Sequence, residues 1–213
     1  MTDARMAVLD RIRSATADVE RTDPAADYAA IPRTYIRAGS LTAEERLHLF
    51  LERLRDYDTQ VVESSAASLP RTIVSVLREH NQKKVIAADG LSADILPRDF
   101  EFIAERDASL ADLNTCDGVV TTCSVAIAFT GSIVLTHGEG EGARRLTLVP
   151  DRHLCVVRAE QVVETVPEAI DRLAARATHP LTFISGPSAT ADIEMTRIRG
   201  VHGPRFLDVV LVR

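Results

Sequence analysis

Three glycine-bearing stretches in the C-terminal half set hydroxyls beside backbone that bends easily. The first is Ala128-Phe129-Thr130-Gly131-Ser132, between two apolar runs. Gly131 can take a positive φ there, with the hydroxyls of Thr130 and Ser132 on either side. The second, Ser185-Gly186-Pro187-Ser188-Ala189-Thr190-Ala191-Asp192, leaves an apolar run and is expected to open a short helix over Thr190–Ile198. Free N–H groups at a helix start attract anions, and the hydroxyls of Ser185, Ser188 and Thr190 add donors. The third, Gly200-Val201-His202-Gly203-Pro204, holds His202 in a shaped turn, where it can contact a ligand or act as general acid or base. Asp192 and Glu194, just inside the expected helix, join His202 as catalytic candidates. Each feature also has a plainer reading. Gly131 can serve a tight strand connection, Ser188 or Thr190 can cap a helix, and the two carboxylates can complement its dipole. His202 can be an ordinary surface turn histidine.

Other chemistries lack their motifs. There is no Walker loop, no G-x-G-x-x-G and no G-x-S-x-G elbow. His48, His80, His137, His153 and His179 are scattered without metal-ligand spacing, so no metal site is expected. Cys116, Cys123 and Cys155 are odd in number and form no C-x-x-C, which gives an iron–sulfur cluster or structural zinc little support. Lys plus Arg is 25 against 31 Asp plus Glu, a net charge of −6, and this average field repels phosphate backbones. With aromatics at 4% and no Trp, a stacking platform for single strands is also poorly supported, so no nucleic-acid partner is expected. No segment reaches the ~18 apolar residues of a membrane span. Asp3, Arg5, Asp10 and Arg11 interrupt the stretch where a secretion signal needs its apolar core, so the expected location is cytoplasmic.

The elements that must position these groups follow from periodicity. At 213 residues the chain suits one domain, which can bury about 70% of its unfolded surface without a staple. Residues 1–20 read as an amphipathic helix, packed on its own domain or docked on a second subunit as in a homodimer. Residues 22–40, with two prolines and little periodicity, read as a long connection. Thr42 and Glu45 form a capping box for a helix to Tyr57, with Leu47, Phe50, Leu51 and Leu54 on one stripe. A strand over Thr59–Glu63, a helix over Leu69–His80 and a strand over Lys84–Ala88 have the spacing of a parallel β–α–β unit. Phe100–Ala104 fits a strand or a helical turn, and Ser109–Leu113 a short helix. Strands are expected over Val119–Thr121, Val125–Ala128, Ser132–Leu135, Leu146–Val149 and Leu154–Val157. The run His137–Gly142, three glycines with two acids, reads as a flexible loop. A helix over Val166–Ala177 and strands over Leu181–Ser185 and Leu207–Val212 complete a three-layer α/β pattern. Its central sheet is mostly parallel and flanked by helices, with a hairpin-rich part.

Three sets of residues together resemble the LUD-domain family. They are Ala126–Leu135, then Leu146–Pro150 with His153, and then Ile184–Glu194 with Gly200–Pro204. The resemblance is firm over about the last hundred residues and general in the earlier α/β part. It implies a fold related to sugar-phosphate isomerases and CoA transferases, with residues 41–213 as the LUD domain and 1–40 as an N-terminal helix and connection. It also implies a role beside iron–sulfur partner proteins in oxidising L-lactate to pyruvate, with the clusters in those partners and no cofactor in this chain. Two positions depart from the family pattern. Phe129 stands where an acidic residue is common, and a phenyl ring cannot act as nucleophile or base. Ala189 stands where an arginine is common, which removes a bidentate partner for carboxylate or phosphate.

The leading expectation is therefore an accessory protein with a small anionic-ligand cleft. Its lining would be Thr130, Gly131, Ser132, Ser185, Gly186, Ser188, Thr190 and His202. The alternatives are an acyl/CoA-transferase or isomerase-type enzyme, with Glu139, Glu141, Asp192, Glu194 and His202 as candidates for its carboxylate or base, and a non-catalytic interaction module.

Overall fold

The structure is a computed structural model that describes residues 2–17, 23–92, 94–176, 178–190 and 198–213. It divides into two units, Met1–Tyr35 and Ile36–Arg213. The first holds helices α1 (Thr2–Ala15) and α2 (Pro24–Ala30). The second helix lies inside the stretch expected to be plain connection. Asp23 accepts the Ala25 N–H and Pro24 opens the first turn, so a cap and a preset φ nucleate a helix with little apolar periodicity.

The second unit carries all the strands among the described residues. Helix α3 (Ala43–Asp56) starts at the expected box: the Thr42 hydroxyl accepts the Glu45 N–H, and the Glu45 carboxylate accepts the Thr42 N–H. Then come β1 (Gln60–Ser64), α4 (Leu69–Glu79), β2 (Val85–Ala87), β3 (Phe102–Ala104), α5 (Leu110–Thr115) and β4 (Gly118–Thr121). The next strands are β5 (Val125–Ile127), β6 (Ser132–Leu135), β7 (Arg152–Arg158) and β8 (Val162–Val163). Helix α6 (Val166–Leu173) precedes β9 (Thr182–Ile184), β10 (Ala189–Thr190), β11 (Ile198–Arg199) and β12 (Phe206–Val212).

Six strands form a wholly parallel sheet in the order β1-β12-β7-β4-β2-β3. β1 and β2 are parallel as their spacing requires, but β12, β7 and β4 lie between them. The central strands are buried on both faces, as an all-parallel sheet demands. On one face Cys155, Val157, Val209 and Leu211 pack with Leu47, Phe50, Leu51 and Leu54 of α3. On the other, Leu154, Val156, Val210 and Val212 meet Leu69, Ile73, Val76 and Leu77 of α4. A four-stranded sheet, β8-β5-β6-β9, supplies the hairpin-rich part, with β5/β6 and β6/β9 antiparallel.

Three local expectations are corrected. Leu146–Val149 is not a strand: Arg144–Thr147 form a 3-10 turn, in which the Thr147 hydroxyl donates back to the Arg144 carbonyl. Thr190–Ile198 is not a helix at either described end. Ala189–Thr190 pairs antiparallel with Ile198–Arg199, and 191–197 lie outside the described residues. The acidic glycine run is a pinned loop rather than a loose one. Glu141 is buried and accepts the Ser124 hydroxyl (2.5 Å), the Thr136 N–H and the Thr136 hydroxyl (3.1 Å). Gly140 adds a bond to each neighbouring strand exit: its carbonyl accepts the Thr122 N–H and its N–H donates to the Asp89 carbonyl, both at 2.7 Å.

Candidate functional site

The three glycine-bearing stretches come together through hydrogen bonds. The Thr130 and Ser132 hydroxyls are 2.7 Å apart, and Ser132 Oγ is 2.6 Å from Ser185 Oγ. This joins the first stretch to the second. Ser188 joins the second to the third: its N–H donates to the Pro204 carbonyl (2.8 Å), and its Oγ accepts the His202 N–H (3.2 Å). Since that Oγ already accepts, its hydroxyl proton remains free to donate.

Two of the glycines serve close approach to α3. Gly131 has φ +59, and a Cβ there would lie 2.7 Å from Arg53 Cβ. Gly186 has φ +83, and its Cβ would lie 2.5 Å from that of Tyr57. Both stretches thus rest on the C-terminal end of one helix and the residue after it. Gly186→Ala is expected to cost about 2 kcal/mol in a urea unfolding curve, from left-handed strain plus the clash. A loss under about 0.5 kcal/mol would show that this contact yields easily.

A cavity of about 250 Å³ opens where these stretches meet the starts of two sheet strands. Its lining includes Arg144, Thr147, His153, Ser185, Ser188 and His202. Gly186 borders it, as does Ala189, where no side-chain cation is available. Thr130, Gly131, Ser132 and Thr190 are not among its walls: Ser132 acts behind Ser185, and Thr190 belongs to β10. Of the catalytic candidates, His202 borders the cavity, whereas Asp192 and Glu194 lie outside the described residues. The cavity sits beyond the amino ends of β7 and β12 and the carboxyl end of β9. The described part of the second stretch ends in β10 rather than in the helix start expected from the sequence.

Two wall residues escape the glycine-centred reading. Arg144 lies in the 3-10 turn and donates to the Thr147 carbonyl (3.2 Å) and hydroxyl (3.1 Å). Among the described residues it forms no ion pair. His153, second in β7, is buried and lies 2.7 Å from the Thr121 hydroxyl through Nε2. Burial pushes its pKa down to about 4, so its ring is neutral near pH 7. The usable sequence signal was Leu146–Pro150 with His153, which fixes the loop carrying Arg144 just ahead of a buried strand.

No Asp or Glu lines this cavity among the described residues. Arginine stays charged at any working pH, so its wall presents a guanidinium, hydroxyl donors and two imidazoles. Such a wall can hold a carboxylate or phosphate, and its described residues include no carboxylate. Among the described residues no group of three or more His, Cys, Asp or Glu is placed to hold a metal ion. No helix among them is long and apolar enough to cross a membrane.

Comparison with known proteins agrees with this architecture. The Lactate utilization protein C of Deinococcus radiodurans is 44% identical over 175 residues, covering 81% of this chain and 82% of that protein. That of an Exiguobacterium species is 27% identical over 207 residues, covering 92% of this chain and 89% of its own. The crystal structure of a DUF162 family protein from Deinococcus radiodurans superposes with a TM-score of 0.72 at 39% identity. It covers 82% of this chain and 100% of its own. The LUD domain model matches residues 7–212, a span that takes in the parallel sheet, the second sheet and every described wall of the cavity. The chain belongs to the LUD-domain family.

Proposed function

We propose that this protein works in lactate utilization, the process named in its relatives, as a binding component that holds a small anion in the Arg144–His153–His202 cavity. The observation that carries the anion reading is the cavity's charge: a guanidinium with no ion pair among the described residues, and several hydroxyls, face a space bordered by no described carboxylate. Electron transfer falls to iron–sulfur partner proteins under this reading, and this chain binds and orients the organic anion. The pathway assignment rests on the relatives' names, and the partners on the family resemblance.

The test is a thermal-shift and calorimetric titration with pyruvate, L-lactate and inorganic phosphate. An anion at 100 times its Kd is expected to stabilise the fold by about 2.7 kcal/mol. Arg144→Gln is expected to weaken that anion about tenfold or more, since a charge-assisted bond is lost. Absence of binding by every anion in the wild-type protein removes the cavity from the proposal. So does equal affinity in Arg144→Gln.

A further inference from the structure

A second cavity lies at the opposite kind of strand end. After β2 the chain moves outward to β3, then crosses back over β2 to reach β4. The loops leaving β2 and β4 therefore diverge, and crevices at such switch points at the carboxyl edge are where open parallel sheets bind ligands. A space of about 530 Å³ lies at this carboxyl edge, bordered by the residues that follow β2 and β3 and by the loop after β6, with Asp89, Gly90, Glu105, Arg106, Glu139 and Arg145 among its walls.

Several of these groups are committed to the fold. Glu105 is buried and accepts the N–H of Ala143 (2.8 Å) and of Asp89 (3.4 Å), which ties two loops together. His137 is held at both ring nitrogens, Nδ1 to the Gly142 carbonyl (2.8 Å) and Nε2 to the Thr182 hydroxyl (2.7 Å). Because Thr182 also lines the first cavity, this one hydrogen bond forms part of the wall between the two spaces.

Glu139 and Arg145 are exposed and have no ion pair or side-chain hydrogen bond among the described residues. Among the described residues the Asp89 carboxylate has one ion-pair partner, the Arg106 guanidinium at 3.9 Å. Adjacent residues of one turn thus divide the work. Arg144 faces a space with no acid among its described walls, and Arg145 faces one that also holds carboxylates. A simple anion would be repelled there by Asp89 and Glu139, and a simple cation by Arg145 and Arg106.

We propose that this carboxyl-edge cavity is a second binding site, for a small hydroxy acid or amino acid. The ligand's carboxylate would sit on Arg145, and its hydroxyl or ammonium would donate to Asp89 or Glu139. The inference stands on this cavity alone and does not require an anion in the first one.

The experiment is residue-resolved amide NMR on the full chain with four probes: L-lactate, L-alanine, propanoate and ethanolamine. The first two carry both groups, and the last two carry one each. L-Lactate or L-alanine is expected to shift Gly90 and Gly138 and to bind about tenfold tighter than propanoate or ethanolamine. Arg145→Gln and Asp89→Asn should each remove most of that advantage, and Arg144→Gln should leave it intact. The lactate and alanine arms separate hydroxyl from ammonium recognition, and either one exceeding propanoate supports the site. Equal affinity for lactate, alanine and propanoate overturns it. Shifts confined to Ser185 and His202 also overturn it while leaving the first cavity's reading in place.

Discussion

Phe50→Ala is expected to lower the unfolding free energy by about 4 kcal/mol, within the range for emptying a buried aromatic site. Phe50 has no exposed surface and packs with Leu47, Leu51 and Leu54 of its own helix and with Cys155, Val157, Val209 and Leu211 of the sheet. A domain of this size has only about 5–15 kcal/mol to lose, so the variant would be marginal at 37 °C. The effect should reach the anion cavity as well. Gly131 rests on Arg53, and Gly186 rests on Tyr57 just after the helix, so a displaced α3 moves the stretches that carry Ser132, Ser185 and Ser188. Urea unfolding gives the stability change, and titration of whichever anion the wild type binds gives the second effect. A loss below about 1 kcal/mol would mean the helix does not depend on this ring.

Acid should weaken the fold through His153 by about 3 kcal/mol. An unfolded histidine titrates near pH 6.5, while the buried ring stays neutral down to about pH 4. Between these values the unfolded chain takes up a proton that the folded chain refuses, so stability falls as pH drops from about 6.5 to about 4. Above pH 6.5 the group contributes no slope. Asp208 acts in the opposite direction: burial raises its pKa against the lowering by Arg152 and His80, so acidification through its titration favours the folded state. His153 is therefore isolated by comparing wild type with His153→Gln across pH 7, 5.5 and 4.5. The variant should show the flatter curve, and identical slopes would mean that His153 reaches solvent protons in the folded protein.

The elements most legible in the sequence were those whose causes lie within a dozen residues. α3 has its capping box and its apolar stripe in one window, and α4 has Pro70 in its first turn and Ile73, Val76 and Leu77 on one side. Pairing across the sheet has no local cause. Nothing near Gln60–Ser64 marks it as the neighbour of Phe206–Val212. The run Leu146–Val149 looked like a strand because its residues are apolar, but Leu146 is a plug beside Gly142, and the Thr147 hydroxyl closes a 3-10 turn. Thr190 looked like a helix start because Ser and Thr often cap. Here Ser188 Oγ is bonded to the His202 N–H instead, and the chain runs on extended into β10. The same split holds at the cavity. Ser185, Ser188 and His202 stood out beside glycines, whereas Arg144 and His153 matter only because a loop and a strand start converge on them.

The place of β12 also constrains synthesis. It is the last strand in the sequence, yet it is inserted between β1 and β7 and is the partner that holds β1 in the sheet. While a nascent chain is still leaving the ribosome, β1 has no mate and the β7 flank stays open, with unpaired amides on both. Such edges invite pairing with other chains, and contacts this distant in sequence form slowly. Folding of this domain is therefore completed only after Phe206–Val212 has emerged, and shielding by a chaperone has its greatest value in that interval.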